Sequence, residues 1–205
     1  MGYALAVLLG YLLGCSNMAV YIAKMKKVDL RSSGSGNPGT SNAVILMGWK
    51  AGILVGIHDI GKAYLAVALA KLLFPELPAI AEMAGIACVL GHIFPFYLKF
   101  KGGKGFASYI GMTLALNWKL ALIIMAAVAI ITLVTDYLVI GTFTTIVAVP
   151  AYMGIVTKSL LAVLILCVGT AVIFYKHREN MVRLCKGTEI GLRSTARGEH
   201  RVKNK

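Results

Sequence analysis

Carboxylates are scarce in this sequence, with eight Asp and Glu against 21 Lys and Arg over 205 residues. Asp59, Glu82 and Asp136 stand far apart along the chain, so no group of carboxylates is at hand for Mg²⁺ in a two-metal phosphotransferase. The four cysteines form no Cys-x-x-Cys pair: Cys15, Cys88 and Cys167 fall in apolar stretches and Cys185 in a basic tail. A disulfide framework and a zinc site are thereby disfavoured. There is no His-Glu-x-x-His run, no Ser/His/Asp order and no internal repeat. Gly61-Lys62 and Gly103-Lys104 are not followed by Ser or Thr, which rules out a Walker A loop, and no strand-like segment leads into a dinucleotide fingerprint. What these absences leave is chemistry without a metal or a cofactor, carried by backbone amides and cations.

Apolar sequence is abundant instead, at 59% of the chain, with a mean hydropathy of +0.80. That exceeds what a soluble domain of this size needs. Seven segments are long and apolar enough to be drawn as membrane helices, at roughly 2–23, 51–73, 79–98, 105–117, 119–135, 137–156 and 159–175, the fourth being short. The first run has no basic leader and no Ala-x-Ala site, so it reads as a retained helix. The net charge of +13 sits in the loops and the tail, the pattern of a protein facing anionic lipid and not nucleic acid. All 21 basic residues except Lys62, Lys71, Lys119 and Lys158 fall on one side of the alternating helices. The expected fold is therefore an all-α membrane protein with seven transmembrane helices, N-terminus outside and C-terminus cytoplasmic. Residues 1–205 read as one domain, with a cytoplasmic Gly-rich loop over 24–50 and a basic flexible tail over 194–205.

Two glycine runs lie on the predicted cytoplasmic side. The first contains Gly34, Ser35, Gly36, Asn37 and Gly39, followed by Asn42. Glycines let a ligand approach the backbone, and the Ser and Asn side chains offer neutral hydrogen-bonding groups. A plain flexible linker is the alternative reading. The second run, Lys101-Gly102-Gly103-Lys104-Gly105, leads straight into an apolar helix. Free amides at a helix N-terminus plus two lysines make an anion cradle, against the alternative of a positive anchor with a glycine turn.

Within the second segment, Asp59 and Lys62 are three apart and share a helix face, roughly 12 and 17 Å below its cytoplasmic end. His92, in the third segment, lies at a similar depth of about 10 Å. Ionisable groups this deep are paired or functional. A packing pair and a substrate role remain open alternatives for Asp59 and Lys62, and a bridge between helices for His92. At the start of the tail, His177 and Asn180 are three apart and face one way beside Arg178, with Glu189 further on.

Taken in order, these motifs resemble the bacterial PlsY family of membrane acyl-phosphate:glycerol-3-phosphate acyltransferases. The resemblance runs over nearly the whole chain, through Gly34-Ser35-Gly36-Asn37 and Asn42, then Asp59 and Lys62, then Gly91-His92 running into Lys101–Gly105, and finally His177-Arg178-x-Asn180-x-x-Arg183 with Glu189. It implies an enzyme of phospholipid synthesis in the bacterial cytoplasmic (inner) membrane, with its active site on the cytoplasmic side. The implied partners are acyl phosphate, glycerol 3-phosphate or a related polyol phosphate, and membrane lipid. By the same resemblance Ser35, Lys104, His177 and Asn180 are the expected catalytic residues. Gly34, Gly36, Asn37, Gly39, Asn42, Lys101, Gly102, Gly103, Gly105, Arg178 and Glu189 are the expected substrate-binding residues, and Asp59, Lys62 and His92 support them. No metal or cofactor is implied.

One position departs from that pattern: Ile45 stands where the family usually has an arginine expected to help hold the substrate phosphate. Loss of that cation implies weaker phosphate binding, a different acyl acceptor, or a non-catalytic paralogue. A small transporter with a polar path through His58, Asp59, Lys62 and His92 is the alternative from another class. The missing repeat and the lack of helix breakers at mid-membrane depth speak against it.

Overall fold

A computed structural model of the chain describes residues 1–199 and is all-helical over the apolar segments. Helix α1 (Gly2–Cys15) is interrupted at Ser16-Asn17 and resumes as α2 (Met18–Lys26). The break lies inside a continuous apolar run. It forms because the Asn17 side chain accepts a hydrogen bond from Val20 N and so caps α2. Residues 24–50, expected as one loop, contain a helix, α3 (Thr40–Met47). Its apolar residues Ala43, Ile45 and Leu46 are buried with Ala19, Ala23, Leu30 and Val55, and that burial holds a segment too short to span a membrane. Gly48, at φ +86°, turns the chain directly into α4 (Trp49–Leu73).

Helix α5 (Ile80–Ile93) ends in a short 3-10 turn over Phe96–Leu98. Next come α6 (Phe106–Leu116), α7 (Trp118–Thr135), α8 (Leu138–Thr157) and α9 (Leu160–Lys176). Helix α10 (Arg178–Cys185) bends away from α9 by 48°, and α11 (Leu192–Ala196) is a single short turn. Among the described residues five spans reach crossing length, and the bent α9–α10 pair makes a sixth. The expected fourth crossing is α6, whose 11 residues rise only about 16 Å. Large apolar side chains such as Ile123, Ile130 and Leu164 point outward, as lipid-facing helices require.

Small residues bring the helices together. Gly10 and Gly14 of α1 lie against the backbone of Ala84 and Cys88 in α5, and Gly91 lies against that of Tyr11. A Cβ at any of these would collide with a carbonyl of the partner helix. Gly111 of α6 meets the Ile60 backbone of α4 in the same way. Tyr109, Met112, Val89, Ile93 and Leu166 fill the centre.

One end of the bundle gathers the polar connections. Asn17 Nδ2 donates to Pro38 O at 3.1 Å, and Arg31 Nη2 donates to Lys101 O at 3.0 Å. The start of the expected flexible tail is anchored there too: Leu192 N donates to Asp136 O and Arg193 N to Asp136 Oδ1, both at 2.8 Å. Positions 194–199 continue from α11 into a turn, and positions 200–205 of the expected tail lie outside the described residues.

Replacing Gly14 by Leu is expected to separate α1 from α5 and destabilise the protein by about 1–3 kcal/mol, read as a lower melting temperature in detergent. Gly61→Ala is the matched control, because nothing lies within 4 Å of a Cβ at that position.

Candidate active site

A cavity of about 570 Å³ opens at the polar end of the bundle. Two helix N-termini face it. Helix α3 is preceded by Gly39 and α6 by Gly105, neither of which can cap an amide with a side chain. The first-turn amides of both helices therefore stay open toward the cavity, which Thr40, Ser41, Phe106 and Ala107 line.

The first glycine run is shaped by Asn42, which is fully buried in α3. Its Oδ1 accepts from Ser35 N at 2.8 Å, and its Nδ2 donates to Leu30 O at 2.9 Å and Ser33 O at 3.3 Å. Gly34, at φ +61°, packs against that Oδ1 where no side chain would fit. The fold places Ser35, Asn37 and Gly39 on the cavity wall, with Gly34, Gly36 and Asn42 behind them.

The second run is arranged differently from an open amide cradle. Lys101 N donates to Leu98 O of the 3-10 turn, and Gly102 N to Ile93 O and Gly103 N to His92 O at the end of α5, so all three amides are committed within the protein. Only the stretch from Lys104 onward faces the cavity. Lys101 is exposed, with its carbonyl held by Arg31.

Lys104 enters the cavity and donates to Asn180 Oδ1. Asn180 Nδ2 donates in turn to Glu189 Oε1 at 2.6 Å, and Glu189 Oε2 accepts from Arg183 Nε at 2.7 Å. Burial lowers the Lys104 ammonium to about 8, and the nearby Arg183 charge pushes the same way. His177 caps α9, is buried, and has its Nδ1 2.9 Å from Ile173 O. That contact assigns the proton to Nδ1 and leaves Nε2 as an acceptor. Arg178 points elsewhere: it stacks on the Tyr175 ring at 4.2 Å and donates to Tyr175 O. Arg183 is part of the motif that carries the resemblance, but sequence alone assigns it no role and no partner. Its six-residue spacing from Glu189, across a Gly187 turn at φ +66°, is the signal that could have found it.

Beneath this layer lies a buried polar network. Lys62 Nζ donates to Ser16 O at 2.6 Å, to Asp59 Oδ1 at 2.8 Å and to His92 Nδ1 at 2.9 Å. His58 joins it, with Nε2 3.0 Å from Ser16 Oγ and Nδ1 3.4 Å from Asp59 Oδ1. Asp59 and His92 reach the cavity, and Lys62 sits behind them.

The opposite wall is apolar, built from Phe106 and Ile110 of α6, Val128 and Ala129 of α7 and Val139 of α8. Leu133 and Leu138 line the cavity while remaining 63% and 38% exposed, so the apolar wall reaches the outer surface of the bundle where α7 turns into α8. Among the described residues no three His, Cys, Asp or Glu side chains come together as a metal site.

Fold and site together define an integral helical membrane protein whose pocket joins open helix N-termini and a half-buried lysine to an apolar wall. The chain belongs to the glycerol-3-phosphate acyltransferase family, whose model matches residues 4–187. A glycerol-3-phosphate acyltransferase of Coxiella burnetii (strain RSA 493 / Nine Mile phase I) is 37% identical over 192 residues, covering 92% of this chain and 97% of the relative. Glycerol-3-phosphate acyltransferase 1 of Oceanobacillus iheyensis is 34% identical over 206 residues, covering 95% and 97%. Among solved structures, the glycerol 3-phosphate form of PlsY, an integral membrane glycerol 3-phosphate acyltransferase, superposes with a TM-score of 0.89 at 32% identity, covering 96% of this chain and 98% of that one. Its lysophosphatidic acid form gives 0.84 at 31%, covering 93% and 95%.

Because inorganic phosphate is a dianion above about pH 7, its binding should weaken as pH rises through the Lys104 value of about 8 and the ammonium is lost. Titration calorimetry from pH 7 to 9.5 checks this, and Lys104→Arg, which stays charged, should flatten the profile.

Proposed function

We propose that the protein transfers a fatty acyl group from an acyl phosphate to the 1-hydroxyl of glycerol 3-phosphate, giving lysophosphatidic acid and inorganic phosphate for phospholipid synthesis. The single observation that carries this reading is the two-sided cavity, with a cation and open helix N-termini on one side and a lipid-facing apolar wall on the other. A ligand with a phosphate at one end and an alkyl chain at the other matches both sides. The family membership, and relatives named glycerol-3-phosphate acyltransferase, support acyl transfer to glycerol 3-phosphate.

In this reaction the hydroxyl oxygen of the acceptor attacks the acyl carbonyl carbon. The bond from that carbon to the phosphate oxygen breaks, and the hydroxyl proton leaves with the departing phosphate. Phosphate is a good leaving group, so no covalent acyl-enzyme is required. The protein contributes orientation and electrostatic stabilisation. Lys104 and the α6 N-terminus meet the donor phosphate, and Ser35 and Asn180 position the reacting groups. The free Nε2 of His177 accepts a hydrogen bond from the attacking hydroxyl. Gly34, Gly36, Gly39, Asn42, Gly102, Gly103 and Gly105 shape the loops, and Glu189 holds Asn180 in place. No metal takes part.

The acceptor end carries this chain's own signature. Ile45 lines the cavity, is 5% exposed and supplies no charge. A polyol phosphate other than glycerol 3-phosphate is the second reading that this residue favours.

The proposed placement is the bacterial inner membrane with seven passes, the short α6 among them, the N-terminus outside and the site in the cytoplasm. The basic residues gathered at the polar end, Lys24, Lys27, Lys50, Lys99 and Lys176 among them, support that orientation.

Purified protein given acyl phosphate and glycerol 3-phosphate should release inorganic phosphate. Ser35→Ala and Lys104→Ala should each slow that release by about 10²-fold or more. Full activity in both variants would overturn the assignment. Ile45→Arg, assayed with a panel of polyol phosphates, should shift preference toward glycerol 3-phosphate. Topology has its own test: with the exposed Cys167 and Cys185 replaced by Ser, a cysteine introduced at Lys186 should be shielded from a membrane-impermeant maleimide in intact cells and labelled in inverted vesicles, and labelling in intact cells refutes the orientation.

A further inference from the structure

His92 is 3% exposed, lies on the cavity wall, and uses only one of its two ring nitrogens within the protein. Nδ1 sits 2.9 Å from the Lys62 ammonium, which has no lone pair and so must donate. Asp59 Oδ1 is farther from that nitrogen, at 3.4 Å, and already accepts from Lys62 at 2.8 Å. The ring is therefore neutral, with its proton on Nε2. Among the described residues that Nε2–H has no hydrogen-bond partner. Gly103 packs directly against the ring: a Cβ there would collide with Nε2 and lie 3.0 Å from Pro38 O, so only glycine leaves this nitrogen uncovered. His92 shares the cavity wall with Lys104 and Asp59.

We infer that His92 is a substrate-binding residue, its Nε2–H donating to a phosphate oxygen of substrate bound in the cavity beside Lys104. Asp59 and Lys62 act through it as positioning residues. Lys62 fixes the tautomer by donating to Nδ1, and Asp59 holds the ammonium that does so. A buried ion pair that looks purely structural is in this way the support of a neutral donor. Neutrality suits the place, because a second full cation beside Lys104 would have to be desolvated with it. The shared chemistry is a phosphate group, brought either by the acyl donor or by the polyol acceptor.

This inference rests on the acyl-transfer reading, and four variants separate the two. His92→Asn keeps an acceptor for Lys62 at the Nδ1 position but does not reach the cavity. His92→Gln reaches the Nε2 position with a donor, His92→Phe keeps bulk alone, and Lys62→Met removes the group that sets the tautomer. The Asn variant should melt with the wild type while KM for one phosphate substrate rises about ten- to a hundredfold, with a smaller change in kcat. Which KM moves, that for acyl phosphate or that for glycerol 3-phosphate, tells whose phosphate is held. The Gln variant should recover most of the loss seen in the Phe variant, and Lys62→Met should raise the same KM as Asn. Wild-type KM values for both substrates in the Asn variant, or equal losses in Gln and Phe, overturn the role of His92. If the Asn variant does not fold, the Gln–Phe comparison decides alone. If the wild type releases no phosphate, the acyl-transfer reading fails. Equilibrium binding of glycerol 3-phosphate and inorganic phosphate then decides separately for His92: weaker binding by the Asn variant upholds it, and equal binding refutes it.

Discussion

Three hydrogen bonds from one ammonium group fix the geometry at the heart of this protein. Lys62 reaches Ser16 O where α1 breaks into α2, Asp59 on its own helix, and His92 on α5. An ammonium has three protons, and all three are used. At this depth water cannot compensate for a missing partner, and breaking such a pair from one side costs about 3–5 kcal/mol. The α1–α2 break, the α4 face and the end of α5 are thereby held in one mutual position. From there the constraint spreads outward. Asn17, beside Ser16, ties down Pro38 of the first glycine run, and the carbonyl of His92 ties down Gly103 of the second.

The polar site is thus built as an extension of the helix packing. Its loops are held at several points: Asn42 organises one run from within, and the carbonyls at the end of α5 organise the other. The amides left free are those that begin α3 and α6, two dipole ends that converge on the same space. Lys104 adds a full charge at that convergence, braced through Asn180 and Glu189 to Arg183.

Much of the helical layout was legible in the sequence, because lipid imposes long apolar runs and small residues where helices touch. The Asp59–Lys62 pair was legible as well, since a spacing of three on a helix puts side chains on one face. Other features needed the third dimension. Helix α3 hides behind a glycine-rich run and is too short to register as a span; its stability comes from contacts with α2 and α4. The break at Ser16-Asn17 leaves no mark on hydropathy. Asp136 looks isolated because its partners lie over fifty residues downstream at Leu192 and Arg193. The Gly102 and Gly103 amides looked available because the α5 carbonyls that take them cannot be seen in a local motif. Residue type and spacing locate candidates for a site, whereas the choice of which polar atoms remain unsatisfied is a property of the packed whole.

The exposed apolar lining at Leu133 and Leu138 carries a thermodynamic consequence. Moving a long alkyl chain from bilayer to water costs roughly 0.8 kcal/mol for each methylene. A pocket reached only through the aqueous face would impose that penalty on an amphiphile at every entry and exit. Where the apolar lining is itself part of the outer surface, the chain exchanges one hydrocarbon environment for another, and only the headgroup changes phase. Traffic along such a surface becomes lateral diffusion within the leaflet, set by how much ligand the membrane holds and insensitive to its vanishing solubility in water.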